Sequence, residues 1–216
     1  VRRVRFTSPS PTDSTPRVIE AMASTPAVCE HVHLPVQSGS DAVLRRMLRR
    51  YTRARYLDVV AELRAAMPGI TISTDIIVGF PGETEADFAD TLSLVDEAGF
   101  DEAYTFLYSA RDGTPAVRIP GHVPEDVGAE RLQRLIAHVR AGTRRRNAGR
   151  VGTVHEVLVE RPARRGGQML GRTRSNLLVV LDLSPDTIGE YRTVRLTGTT
   201  GSTFTGAVVA PQLAVL

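Results

Sequence analysis

The stretch Thr74-Asp-Ile-Ile-Val-Gly-Phe-Pro-Gly-Glu-Thr84 decides how this chain folds. A β-rich apolar run stops at Gly79 and Gly82, which bracket Phe80 and Pro81, and an acidic helix start follows at once. Strand, glycine loop and helix in that order place backbone amides at the carboxyl end of a parallel strand, where α/β sheets bind small polar ligands. The same residues also suit an ordinary βα turn whose glycines supply positive φ.

The pattern repeats on both sides. Upstream, a strand over 28–36 ends at Gln37-Ser-Gly-Ser40, and a helix starts at Asp41 with Leu44, Met47 and Leu48 on one side. After a break near Tyr51-Thr52, a second helix carries Tyr56, Val60, Leu63 and Met67 at helical spacing and ends at Pro68-Gly69. The central strand covers 70–78, rich in Ile, Val and Thr as a buried parallel strand should be. Its helix opens at Thr84, whose hydroxyl is placed to cap the amide of Asp87. Phe88, Leu92 and Val95 form its buried stripe, and Gly99 closes it. A third strand over 103–108 ends at Ser109-Ala-Arg-Asp-Gly-Thr114, and a proline-rich loop leads to a helix over 125–146. Alternation at this length argues for a parallel α/β sheet. Three to four strands, counting 1–6, make about half of a closed barrel.

After Asn147 the character changes. Short β-rich runs at 151–159, 168–174, 177–181, 193–196 and 203–209, separated by turns, read as a small antiparallel barrel of the nucleic-acid-binding kind. The expected domains are therefore 1–146 and 147–216.

Composition sets the outer bounds. With 216 residues, 42% hydrophobic and 24% charged, the chain has the profile of an ordinary globular protein, and no apolar run approaches the roughly 20 residues of a membrane helix. Its opening, Val1-Arg-Arg-Val-Arg-Phe6, has neither a signal peptide's apolar run nor an initiating Met, and reads as a strand entered midway in a longer protein. Cys29 is the single cysteine, which excludes an internal disulfide, makes a cytoplasmic setting the default and suggests a buried small hydrophobe. His31 and His33 share one face of a strand; with no third ligand nearby, a barrel-lining pair fits better than a metal site.

Charge is segregated. Residues 1–130 hold 13 Arg against 19 Asp/Glu, a net of −6, while residues 131–216 hold 14 Arg against 5, a net of +9. A basic module following an acidic one points to a polyanion partner with phosphates contacted by Arg, the alternative being a solvated helix face with basic loops.

Four segments in register then resemble a known family: His33-Leu-Pro-Val-Gln-Ser-Gly-Ser40, Met47 through Arg50-Tyr51-Thr52, 74–84, and Phe106-Leu-Tyr-Ser-Ala-Arg-Asp-Gly-Thr-Pro-Ala116. Together they resemble the radical S-adenosylmethionine (SAM) methylthiotransferases. Val4-Arg-Phe-Thr-Ser8 and Leu34-Pro-Val-Gln37 resemble the MiaB type, which methylthiolates isopentenyl-adenosine at position 37, beside the tRNA anticodon. The C-terminal module resembles the TRAM (OB-like) RNA-binding barrel of such enzymes. The implied fold is α/β, the C-terminal half of a TIM-like radical SAM barrel followed by a TRAM domain. Two departures stand out. Ser10 occupies a position where that type usually has His, and the CxxxCxxC cluster motif is absent. One cysteine cannot hold a [4Fe–4S] cluster. The resemblance therefore implies SAM and two [4Fe–4S] clusters for a full-length enzyme, with cluster ligands outside this chain and no activity from this portion alone.

It also implies roles. Gln37, Ser38, Gly39 and Ser40 would meet SAM, unless Ser38-Gly-Ser40 simply caps the next helix. Asp75, Ile77 and Gly79 would approach the adenine end, and Tyr108, Ser109 and Arg111 would close the site; Arg111 could instead pair with Asp112 or Glu102. Glu83 is equally explained as a helix-start carboxylate. Arg144, Arg145, Arg146, Arg150, Arg164, Arg165, Arg172 and Arg174 are the expected tRNA phosphate contacts, with Phe204 and Tyr191 as either stacking or core residues. The partners implied are tRNA at its anticodon stem-loop, an electron donor and a sulfur source, with no membrane. Two other readings share these features: an enzyme modifying threonylcarbamoyl-adenosine-37, and a non-catalytic TRAM-containing RNA-binding protein.

Overall fold

The computed structural model describes residues 1–209 apart from 6, 8, 112 and 165. The elements run α1 (Pro16–Ser24), β1 (His31–His33), α2 (Asp41–Arg46), α3 (Arg53–Ala66), β2 (Thr71–Val78), α4 (Glu85–Ala98), β3 (Glu102–Leu107), α5 (Glu125–Ala148), then β4 (Val154–Pro162), β5 (Met169–Thr173), β6 (Leu178–Leu181), β7 (Tyr191–Thr199) and β8 (Thr203–Val208). The chain divides into two compact units, Val1–Gly142 and Thr143–Leu216, so the division falls inside α5, a few residues before the expected 146/147 boundary.

In the first unit, β1, β2 and β3 form a parallel sheet in that order, as the alternation of strands and helices predicts. One face of β2, namely Ile72, Thr74, Ile76 and Val78, is fully buried. It packs in a core with Leu34, Val36, Tyr56, Leu63, Phe88 and Leu94. Tyr56 from α3 donates its hydroxyl to the Leu34 carbonyl at 2.7 Å, and burial pushes its phenol well above the usual range. Tyr51 donates to the Val36 carbonyl at 3.1 Å. These side chains explain why β1 is shorter than the expected 28–36. Pro35 has no amide, the Val36 amide goes to the Thr74 hydroxyl at 2.9 Å, and the Leu34 and Val36 carbonyls are satisfied by Tyr56 of α3 and by Tyr51 just before it rather than by a neighbouring strand.

Several expectations need correction. Residues 1–5 form no strand, and residue 6 lies outside the described residues; Val4 makes an isolated parallel bridge to Val28 and Thr7 makes another to His33. Between them one segment advances three residues and its partner five, which no regular ladder can accommodate. Leu48 is not on the buried side of α2: that helix ends at Arg46, and Leu48 sits at φ 56° and is largely exposed. Helix α1 escaped the sequence reading, although Thr15 caps it, Pro16 opens it, and Ile19 and Met22 are buried at helical spacing.

The second unit is a five-stranded closed barrel with the cyclic order β4-β5-β6-β8-β7. Its pairings are antiparallel except β6 with β8, which is parallel; the expectation of a wholly antiparallel barrel fails there. The polar turn 182–190, and then β7 running back, bring β8 alongside β6 in the same sense. Val157, Val159, Met169, Val179, Leu181, Val194, Leu196 and Phe204 fill its interior. Gly206 is required here: a Cβ would fall 2.4 Å from Val194 Cγ1 and 2.8 Å from Val179 Cγ1.

Candidate functional site

Strand parity gives the sheet a second face. His31 and His33 pair with Thr71 and Ser73, and Ser73, Asp75 and Ile77 pair with Glu102, Tyr104 and Phe106, so these side chains share the side opposite the core. Tyr104 and Phe106 are 48% and 50% exposed, an unusual density of uncovered aromatic surface. A polar chain crosses the same face. Ser73 Oγ lies 3.3 Å from His31 Nε2 and 2.9 Å from His33 Nδ1. His33 Nε2 stands at ion-pair distance, 3.4 Å, from Asp75 Oδ2, and the Tyr104 ring packs edge-on to His33 with centroids 5.7 Å apart. The two histidines line the sheet face, and no group of three metal-ligating side chains occurs among the described residues.

At the carboxyl end of this sheet the structure brings together several of the expected residues. Gln37, at φ 70°, donates its amide to the Asp75 carbonyl at 2.8 Å and accepts the Ile77 amide at 2.9 Å, so Gln37, Asp75 and Ile77 are direct neighbours. Tyr108 follows β3 and donates its amide to Val78 beside Gly79. Its ring meets Phe80 edge-to-face at 5.1 Å, and its buried hydroxyl has no hydrogen-bond partner among the described residues. Ser109 and Arg111 are exposed beyond the strand end, and Asp112 lies outside the described residues, so an Arg111 pair with it is not described.

The Ser38–Ser40 segment turns instead onto α4. Ser38 is fully buried with its hydroxyl 3.4 Å from that of Thr91, which also accepts the Gly39 amide at 3.0 Å. A Cβ on Gly39 would fall 2.5 Å from the Asp90 carbonyl oxygen and from Thr91 Cα. Ser40 caps α2 and donates to Asp87 Oδ1 at 2.5 Å. Ser40 thus caps the next helix, while Ser38 is engaged by Thr91 of α4.

The glycine loop is braced from below. Glu83 accepts the Gly79 amide at 3.0 Å and pairs with Arg131 at 2.9 Å, with both side chains nearly excluded from solvent. Arg131 also donates to the Glu83 carbonyl at 3.1 Å. Burial pushes the Glu83 carboxyl above its usual range, against the Gly79 amide and the Arg131 charge, which pull it down. Arg131 was not singled out from sequence, since nothing local distinguishes it from other helix arginines. Thr84 and Asp87 form a capping box at the start of α4, as its sequence suggests.

In the second unit the expected RNA contacts separate into groups. Arg144 and Arg145 are exposed, and the Arg144 stem lies over Gly201 in the β7–β8 turn. Asn147 donates to the Gly201 carbonyl at 2.7 Å, and Arg150 donates to Asn147 Oδ1 at 2.8 Å, tying α5 to that turn. Arg146 and Arg174 are half-buried, and Arg164 is exposed. Arg172 is paired with Glu160 at 3.4 Å and with Asn176 at 2.9 Å, so its charge is partly engaged by its neighbours. Arg165 lies outside the described residues. Arg195, absent from the expected set, is exposed on β7 with a donor on the Gly152 carbonyl. Phe204 is fully buried, which makes it core and not a stacking residue; Tyr191 is half-buried. No helix is long and apolar enough to cross a membrane among the described residues.

Comparison with known proteins accords with this architecture. Residues 1–95 match the Radical SAM superfamily, and residues 149–209 match the TRAM domain. The chain is 47% identical over 214 residues to the tRNA-2-methylthio-N(6)-dimethylallyladenosine synthase of Deinococcus radiodurans, covering 98% of this chain and 42% of that protein. The proteins of the same name from Clostridium botulinum (46% identity, 95% of this chain, 46% of the relative) and Thermus thermophilus (47%, 98% and 46%) align similarly. The chain thus spans less than half the length of these relatives. Among solved structures, the radical SAM enzyme coproporphyrinogen III oxidase (HemN) of Escherichia coli superposes with a TM-score of 0.56 at 14% identity, over 96% of this chain and 52% of that one, a likeness of fold alone. By these matches residues 1–95 are a radical SAM segment and residues 149–209 a TRAM domain, and the chain is similar along nearly all its length to proteins named tRNA-2-methylthio-N(6)-dimethylallyladenosine synthase.

Proposed function

We propose that this chain is the C-terminal portion of a radical SAM methylthiotransferase that adds a 2-methylthio group to N6-isopentenyladenosine-37 of tRNA in the cytoplasm. The observation that carries this reading is identity of 46–47% along 95–98% of the chain to three synthases so named. On this reading residues 1–146 belong to the catalytic barrel and 147–216 hold the tRNA.

The residues present suit SAM. Its adenine and amino-acid parts need hydrogen-bond donors, acceptors and close backbone approach, which the Gln37 side-chain amide, the Asp75 carboxylate as an acceptor, and the backbone at Ile77 and Gly79 offer at adjoining strand ends. The buried hydroxyl of Tyr108, without a hydrogen-bond partner among the described residues, is a donor free for a ligand acceptor. Ser109 and Arg111 would close the exposed side, while Ser38, Gly39 and Ser40 hold the loop in place through α4. SAM, when bound beside a reduced iron–sulfur cluster, supplies the radical initiator and the methyl group; the protein contributes orientation and electrostatics. This chain does not suit the clusters: its one cysteine, Cys29, is 1% exposed and a cluster needs several thiolates. The ligands for two [4Fe–4S] clusters, the electron donor and the sulfur source are therefore assigned outside it, and this portion alone is expected to be inactive.

Mass spectrometry of tRNA nucleosides after deletion of the encoding gene tests the assignment. Loss of the 2-methylthio group from isopentenyladenosine is expected and should be restored by the full-length coding sequence. Loss from the threonylcarbamoyl nucleoside instead would move the chain to the sister activity, and no change in either would leave only RNA binding.

A further inference from the structure

The polar chain on the open face has a direction, and the direction follows from what each atom can donate. An ionised carboxylate only accepts, so the Asp75 carboxylate 3.4 Å from His33 Nε2 favours the imidazole proton on that nitrogen. Neutral His33 then presents Nδ1 as an acceptor, and the hydroxyl of Ser73, 2.9 Å away, donates to it. Ser73 has one proton to give, so at its other contact it must accept, and His31 Nε2 donates across 3.3 Å. Three side chains thus point their protons one way, toward Asp75. Ser73 is 4% exposed and His31 8%, so both are fixed by their surroundings. Asp75 is the outermost member, with 27% of its side chain open to solvent. Its Oδ2 faces His33, while Oδ1 carries no hydrogen bond among the described residues. In register beside it stand Tyr104 and, one step further, Phe106 opposite Ile77, both about half exposed on the same face.

We propose that His31, Ser73 and His33 are positioning residues that hold the Asp75 carboxylate toward the open side of the sheet, where Oδ1 accepts the exocyclic N–H of an adenine base seated against Tyr104 and Phe106. The chemistry of this face selects the ligand class. An anchored acceptor beside exposed aromatic rings matches a flat heteroaromatic with an amino group at its edge, whereas a phosphate or carboxylate would be repelled by Asp75. Both SAM and an N6-alkylated tRNA adenosine present such an edge. The inference rests on reading this face as the interior of the catalytic cavity, yet base binding is measured without turnover, so either claim can fail alone.

Adenosine and purine riboside, which differ only by the exocyclic amine, are titrated into the chain and followed by NMR shift changes at Asp75, Tyr104 and Phe106. Adenosine is expected to bind at least tenfold more tightly than purine riboside, and Asp75→Ala should remove that difference, as loss of a hydrogen bond to a charged group predicts. Equal affinity for the two nucleosides overturns the proposal, as does an adenosine preference that survives Asp75→Ala. In the full-length enzyme, S-adenosylhomocysteine and N6-isopentenyladenosine separate the sources: weakening of one by Asp75→Ala assigns the base to that ligand, and weakening of neither overturns the proposal. The positioning role has its own readout in the nitrogen shifts of His33. The ring should carry its proton on Nε2, and Asp75→Ala should shift it toward Nδ1 while the unfolding midpoint stays put. An unchanged tautomer overturns the relay.

Discussion

Replacing Arg131 with Met tests whether the glycine loop is held by a buried charge pair. In the native chain Arg131 reaches Glu83 Oε1 at 2.9 Å and the Glu83 carbonyl at 3.1 Å, with side-chain exposures of 7% and 1%. Met fills a similar volume but leaves the Glu83 carboxylate with the Gly79 amide as its remaining partner within the loop. Removing one member of a buried pair typically costs about 3–5 kcal/mol, because the other charge stays buried and uncompensated. At a urea dependence of about 2 kcal/mol per molar, the unfolding midpoint should fall by about 2 M. Glu83→Leu/Arg131→Met removes both charges and should retain a smaller deficit of about 1–3 kcal/mol, since the Gly79 amide still loses its acceptor. Four of the five tyrosines lie in the first unit and the chain has no tryptophan, so near-ultraviolet circular dichroism reports mainly on this unit. The pH dependence carries a second check. Burial already raises the Glu83 pKa, and without Arg131 less opposes it, so the folded-state value rises further. A raised folded-state pKa means protonation favours the fold, so the deficit should be smallest near pH 4 and grow toward pH 7. A loss below 1 kcal/mol at pH 7, or one that does not vary with pH, would refute the reasoning.

Gly39→Ala drives a methyl to 2.5 Å from backbone atoms of α4; unless α4 moves it should cost roughly 1–3 kcal/mol, and an unchanged thermal midpoint would show that the helix packs more loosely here than its geometry implies. Replacing Arg144, Arg145 and Arg146 with Ala should weaken tRNA binding across unrelated sequences and flatten its salt dependence by about one for each phosphate that is no longer neutralised. Filter binding at several salt concentrations measures this, and an unchanged slope would remove the electrostatic role. His155, hydrogen-bonded to Thr153 at 2.8 Å, has its pKa lowered by burial and by Arg150. It should therefore stabilise the barrel above its ordinary value near 6.5 and lose that contribution as pH falls below it. Hydrogen-exchange protection of β4 and β7, taken relative to the intrinsic exchange rate at each pH, should fall on acidification, and His155→Gln should flatten the response.

Local chemistry carried much of the outcome. The β-branched run of β2, the Thr84 cap with Asp87 three residues on, and the terminal Gly99 each specify an element through interactions within a few residues, so they are readable from one chain. The five strands after Asn147 were legible for the same reason: alternation and turn residues act at short range. Where contacts come from distant segments the outcome belonged to the tertiary structure. The shortness of β1 depends on Tyr51, Tyr56 and Thr74 taking its backbone groups, and the parallel β6–β8 pair depends on how the barrel closes. The site divides along the same line. Gln37, Asp75, Ile77, Gly79 and Tyr108 stand out by motif as candidates, but only packing against α4 shows that the Ser38 and Ser40 hydroxyls are engaged there. The Arg131 brace and the His31–Ser73–His33–Asp75 chain join residues 48 and 42 positions apart, and no local pattern records such a meeting. Sequence determined which segments become strands and helices, because propensity and capping are local; the assembled sheet decided which polar side chains face one another, because that depends on register.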